Sequence, residues 1–230
     1  MKLDEESLVW SGRELVWAGD GRLYLRGVGK EILLHPYVEE AHRRILSEYE
    51  PPRGRMLLLI PCSYGKPYSQ SYIHYFLQKT LVKAGVYDKV HQVIVTNAGV
   101  VPRELEEYYP YVAYDWNPLK ETPEIKHLYT QVLARRLDDY LEKFWGHYNG
   151  AAAYLRWDSD SWKAILKVTE SGKHLGFNPP NLAPREVPED EVREVTLGLP
   201  MYKDDPDAVL ITKTSLDTLA RKLKEILGVA

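Results

Sequence analysis

Apolar residues recur along this chain with two different periods, and the periods change places several times. Residues 8 to 28, LVWSGRELVWAGDGRLYLRGV, alternate apolar and polar around Gly12, Gly19 and Gly21. That pattern predicts short antiparallel strands joined by turns. From His35 to Tyr49 the apolar residues Val38, Ala41, Ile45 and Leu46 return at helical spacing, with Pro36 in the first turn. Met56 to Ile60 is an unbroken apolar run, the signature of a strand buried on both faces. Tyr72 to Ala84 reads as a helix stopped by Gly85, and Val90 to Thr96 as a second strand. Arg103 to Tyr109 reads as a short helix and Tyr111 to Tyr114 as a third short strand. The strongest helical pattern spans Pro123 to Phe144. A strand follows at Ala151 to Leu155, then a helix at Ser161 to Val168 with Ser159 or Asp160 as its cap.

Strand and helix alternate from residue 56 to 170, which predicts an α/β fold with a parallel sheet covered on both faces. Residues 178 to 206 are rich in Pro, Glu and Asp and read as a linker or loose arm. The end, AVLITKTSLDTLARKLKEILGVA, predicts one more strand and a helix capped near Thr214 or Ser215. The resulting division is a β segment at 1–30, an α/β domain at 31–177 and a strand-helix extension at 178–230.

Composition narrows the picture only a little. The 230 residues suffice for one large α/β domain, and the formal charge of −3 argues against a chain basic throughout. A local basic patch remains compatible with nucleic acid. No run of about 18 apolar residues predicts a membrane span. The N-terminal MKLDEESLVW lacks an apolar signal core, so a cytoplasmic location is the expectation. One cysteine, Cys62, excludes an internal disulfide and a multi-cysteine zinc site. No metal and no cofactor is expected.

Cys62 stands at the tip of the predicted buried strand, in PCSYGKPYSQSYIH, residues 61 to 74. Ligands of parallel sheets bind at strand tips. Amides of the next helix and the nearby Lys66 favour a thiolate there, the form a nucleophilic cysteine needs. His74, one turn into the helix, is in reach as an acid or base. Tyr68 offers a ring and a hydroxyl, and Ser71 a cap or a ligand hydrogen bond. Taken singly, each has a plainer role: a small buried hydrophobe for Cys62, a solvated charge for Lys66, a cap for Ser71, a structural imidazole for His74. Asn97, Arg103, Glu104 and Asp115 fall near other predicted strand ends and are candidates for the same cleft. Trp10, Trp17 and Tyr24 offer a stacking face for RNA or pack on the sheet. The amphipathic helix LARKLKEIL has a mildly basic side, suited to a sheet face or a partner.

The motif Pro61-Cys62, Lys66-Pro67-Tyr68, Ser71, His74 resembles that of the archaeosine synthase family, with every fixed position filled at the family's spacing. VVPRELEEYYP, residues 100 to 110, and HPYVEEAHRRILSEY ahead of the motif are similar to the family's flanking segments. The resemblance covers about residues 30 to 170. YDWNPLKET, residues 114 to 122, departs from the family pattern, and neither the transglycosylase-like nor the RNA-binding segment of full-length members is recognisable. The resemblance implies a three-layer α/β/α sandwich with a short parallel sheet, similar to uracil-DNA glycosylase, as a stand-alone domain. It implies transfer of lysine, or another amine, onto the nitrile of a 7-cyano-7-deazaguanine base in tRNA. On this view Cys62, Lys66 and His74 are catalytic, and Pro61, Tyr68, Ser71, Asn97, Arg103 and Asp115 bind substrate. The partners implied are tRNA, a transglycosylase-like subunit and a radical enzyme of the same pathway. The competing readings are a non-catalytic tRNA-binding subunit and a glycosylase-like nucleic-acid-binding domain.

Overall fold

The computed structural model describes residues 8–10, 14–17 and 23–229. Three short strands lead the chain: β1 (Leu8–Trp10), β2 (Glu14–Trp17) and β3 (Leu23–Arg26), paired antiparallel in sequence order. The side chains of Trp10, Trp17 and Tyr24 lie outside the described residues, and so does their stacking role. Helices α1 (Lys30–Leu33) and α2 (Pro36–Glu48) then lead to the central strand, β4 (Arg55–Pro61). It is buried at every position after Arg55, as its unbroken apolar run requires.

Helix α3 (Tyr72–Lys83) follows, then β5 (Val90–Thr96) and β6 (Gly99–Pro102). The turn between these two strands rests on Gly99, at φ +129°, where a Cβ would meet the Arg136 side chain at 3.3 Å. Next come β7 (Tyr114–Asp115), α4 (Pro123–Phe144), β8 (Tyr148–Ala153) and α5 (Asp160–Glu170). Helices α6 (Glu189–Gly198) and α7 (Lys213–Leu227) complete the chain.

The main sheet has the order β6-β5-β4-β8. β4 pairs parallel with β5 and with β8, whereas β6 turns back antiparallel on β5. The sheet is therefore mixed rather than wholly parallel: two residues separate β5 from β6, too few for a crossover. Tyr111–Ala113 form a turn, and the strand expected there begins at Tyr114 and pairs with β3 in the N-terminal sheet. The helix expected at 103–109 shrinks to a 3₁₀ turn, Arg103–Leu105.

From β4 the chain crosses to β5 through α3; from β5 it returns past β4 to β8 through α4. Right-handed crossovers in opposite directions put the two helices on opposite faces. Accordingly α3 packs on α7, while α4 packs on α2 and α5. This is an α/β sandwich.

Three expectations for the C-terminal quarter are corrected. Asn181, Leu182 and Ala183 are buried, and Asn181 bridges to Ala153 at the end of β8, so this part of the acidic, Pro-rich stretch is packed. The apolar AVLI run forms a 3₁₀ turn, Pro206–Ile211, instead of a strand. Pro206 opens that turn, and the Asp205 carboxylate accepts from the Asp207 amide at 2.9 Å. Ala208, Ile211 and Tyr202 close a second small core against Ile73 of α3. Helix α7 is capped by Thr212, which accepts from the Ser215 amide, two or three residues earlier than its sequence suggests.

Candidate functional site

Loops from β4 and β8 leave the sheet on opposite faces, one toward α3 and the other toward α5. Adjacent parallel strands whose connections diverge leave a crevice at their C-terminal tips. A cavity of about 180 Å³ occupies that crevice. Pro61, Cys62 and Lys66 line it from the β4 side, and Arg156 and Asp160 from the β8 side. Asp205 and Asp207 close it from the 3₁₀ turn ahead of α7. Tyr64 stands at the rim with most of its side chain in solvent, and Asn97, Trp116 and Glu121 complete the wall.

Burial pushes the Cys62 thiol up to about 12, Lys66 pulls it down, and Asp207 and Asp205 raise it again. The thiolate expected from helix amides and Lys66 is thus not the resting form: desolvation in the crevice outweighs one cation. Burial likewise lowers the Lys66 pKa, opposed by Cys62 and Asp115. The Lys66 ammonium donates to the Tyr64 carbonyl at 3.3 Å and lies 4.1 Å from the Tyr114 ring centroid. Burial raises the pKa values of Asp205 and Asp207. Asp207 nevertheless accepts from Arg156 Nε at 2.6 Å, and Arg156 also binds Asp158 at 2.7 Å. The cavity therefore mixes one thiol and two cationic side chains with several carboxylates.

The second half of the motif lies behind the cavity wall. Tyr68 is fully buried and shares a 2.7 Å hydrogen bond with the Tyr114 hydroxyl. Ser71 caps α3, its hydroxyl accepting from the His74 amide at 3.3 Å. Ser71→Ala should cost about 1 kcal/mol in urea unfolding, the usual value of such a cap. The His74 ring is fully buried, and its Nδ1 accepts from Arg103 Nη2 at 2.7 Å. Burial, and then the Arg103 cation, hold its pKa well below the ordinary histidine value. Arg103 also donates to Glu106 at 2.8 Å and to Gln92 at 2.9 Å. Glu106 in turn accepts from the Ser69 amide at 3.2 Å. This network ties β5 and the turn after β6 to the start of α3.

Of the residues singled out in the sequence, the structure brings Pro61, Cys62, Lys66 and Asn97 to the cavity. Tyr68, Ser71, His74 and Arg103 brace the loop that carries them. Asp115 acts on Lys66 through its charge. Glu104 binds His91 at 3.1 Å, near the opposite end of β5. Arg156, Asp205 and Asp207 escaped the sequence reading, which took Asp160 only as a helix cap. For Arg156 and Asp160 the signal was available: RWDSDSW follows a strand and opens a helix, as the motif does.

The fold is that of an α/β domain with a crevice at the diverging tips of two parallel strands. The chain belongs to the family described as a domain of unknown function, DUF5591, whose profile matches residues 38–168. It is similar to the archaeosine synthase subunit alpha of Methanosarcina acetivorans, 51% identical over 75 residues. The subunit alpha of Thermococcus kodakarensis is 36% identical over 114 residues. The matched segments cover 32% and 46% of this chain, but only 12% and 19% of those relatives. The archaeosine synthase of Haloferax volcanii is 35% identical over 101 residues, 44% of this chain and 16% of that protein. Among solved structures, the crystal structure of AF0587, a protein of unknown function, superposes with a TM-score of 0.50 at 19% identity. It covers 80% of this chain and 49% of that one, and supports the fold alone. Among the described residues no helix is long and apolar enough to cross a membrane.

Proposed function

We propose that this chain carries the reactive site of an amidine-forming transferase of archaeosine biosynthesis, acting on a nitrile-bearing deazaguanine base in tRNA. The observation that carries the reading is the meeting of Cys62 and Lys66 with the carboxylates of Asp205 and Asp207 in one crevice. The kinship with archaeosine synthases supplies the substrate class.

The chemistry suits a protonated thiol. Adding Cys62 S–H across the C≡N bond forms one S–C bond and moves the proton to the nitrile nitrogen, giving a thioimidate. The Lys66 ammonium gives a proton to that nitrogen and takes the thiol proton in its place. Lysine enters as an ammonium ion and must lose a proton before it attacks. Asp205 and Asp207 hold its charge, and a carboxylate of raised pKa accepts the proton. The free amine then adds to the thioimidate carbon, the C–S bond breaks, and sulfur leaves with the proton lost by the amine. The products are an amidine and the restored thiol. Tyr64, at the rim, provides a ring for the flipped-out base. His74 has no direct part in this scheme, because its ring is held behind the wall by Arg103.

The test is transfer of labelled lysine to tRNA bearing the nitrile base, with and without a transglycosylase-like subunit, for wild type and Cys62→Ala. Expected is incorporation by wild type and a loss of about a thousandfold or more in the variant, the scale for removal of a covalent nucleophile. Equal incorporation by both would remove Cys62 from the chemistry. Retention of tRNA without incorporation would point to a binding subunit.

A further inference from the structure

A second concavity, of about 530 Å³, runs between α3 and α7 on the outer helix layer. Its floor is apolar, with Phe76, Ala84, Leu216 and Ala220, and its rim carries Lys79, Lys83, Lys213 and Lys224. One carboxylate, Asp217, reaches the groove, and Lys213 already holds it at 2.7 Å. Among the described residues no carboxylate pairs with Lys79, Lys83 or Lys224. A chain of formal charge −3 has thus gathered unpaired positive charge on one face. Such clustering costs mutual repulsion, which a bound polyanion relieves.

The groove and the reactive crevice share one structural element. Asp207, near the start of the 3₁₀ turn Pro206–Ile211, lines the crevice, and Ile211, at its end, lines the groove. Four residue steps at about 2.0 Å rise put these two residues about 8 Å apart along the turn.

We infer that the α3–α7 groove is the seat of the RNA backbone: it binds phosphates flanking the nucleotide whose base enters the Cys62 crevice. Lysines act as point charges on phosphate and tolerate any sequence. The apolar floor suits ribose faces rather than base edges. This inference rests on the proposal that the substrate is a tRNA, and it assigns that RNA to a surface of this domain.

The test is the affinity of the full chain for tRNA as a function of salt, for wild type and for K79Q/K83Q/K224Q. The triple variant should bind at least about tenfold more weakly near 50 mM salt. Its slope of log K against log salt should be shallower by about 2 to 3, since each lost phosphate contact removes about 0.7 to 0.9. A matched change at Lys89, Lys143 and Lys167 should leave both unchanged, with thermal melts reporting folding for each protein. Adduct formation between Cys62 and the free nitrile base, read by mass spectrometry, should be the same in wild type and the groove variant. Loss of RNA affinity without any Cys62 adduct in wild type would sink the transferase reading and keep the groove. Unchanged RNA affinity in the groove variant, or no RNA binding by wild type, would overturn the groove. Equal binding of polyglutamate and RNA would reassign it to an acidic protein segment.

Discussion

Lys66→Gln is expected to slow lysine transfer by about 10² to 10⁴, the range for losing a positioned acid–base group. Lys66→Arg should fare no better, because a guanidinium keeps its proton throughout the working pH range. Rescue by arginine would mean that Lys66 supplies charge alone. The same residue partly offsets the burial of the bare thiol. With the Cys62 pKa raised to about 12, alkylation by iodoacetamide should climb steadily from pH 7 to pH 10. An unperturbed cysteine, at about 8.5, levels off within that range. Removing the Lys66 cation should slow alkylation further at fixed pH. Asp205→Asn, which removes a carboxylate that raises the thiol pKa, should speed it. A plateau below pH 9 would contradict the burial argument.

The second large effect belongs to a residue behind the wall. Arg103→Leu should destabilise the domain by about 3 to 5 kcal/mol, because it strands the buried Glu106 carboxylate. Glu106 would keep only the Ser69 amide as a donor, and the His74 Nδ1 and Gln92 carbonyl would lose theirs. The second change in R103L/E106Q removes the stranded charge and should restore part of the loss. Urea unfolding of the wild type, single and double variants measures both. A cost for R103L near zero would mean that solvent already reaches this network.

The sequence disclosed those features that short-range chemistry dictates. Helix α4 begins where Thr122 and Pro123 supply a cap and a first-turn proline, and it ends at Phe144 as its periodicity requires. β4 was legible from its unbroken apolar run, and Cys62 at its tip followed. The antiparallel return of β6 was not, because Gly99–Pro102 is as apolar as a parallel strand. The AVLI run carried the same ambiguity: a short apolar stretch fits a strand or a buried turn until its packing is known. In the motif, side-chain chemistry did not distinguish Cys62 and Lys66, on the cavity, from Tyr68 and His74, behind it. Which way each side chain points depends on the turn at residues 67–71. Asp205 and Asp207 were out of reach, more than 140 positions from Cys62 in a stretch that reads as polar filler.

That distance along the chain bears on what counts as the working unit. The family profile ends at residue 168, yet the crevice closes only when Asp205 and Asp207 fold back against the tip of β8. The Tyr154 hydroxyl donates to the Leu210 carbonyl at 2.6 Å, and Arg156 clasps Asp207. A protein trimmed to the recognised family segment would keep its sulfur and lose the acidic wall that Asp205 and Asp207 add to the crevice. The boundary drawn by sequence kinship and the boundary needed to enclose the crevice are, in this fold, about forty residues apart.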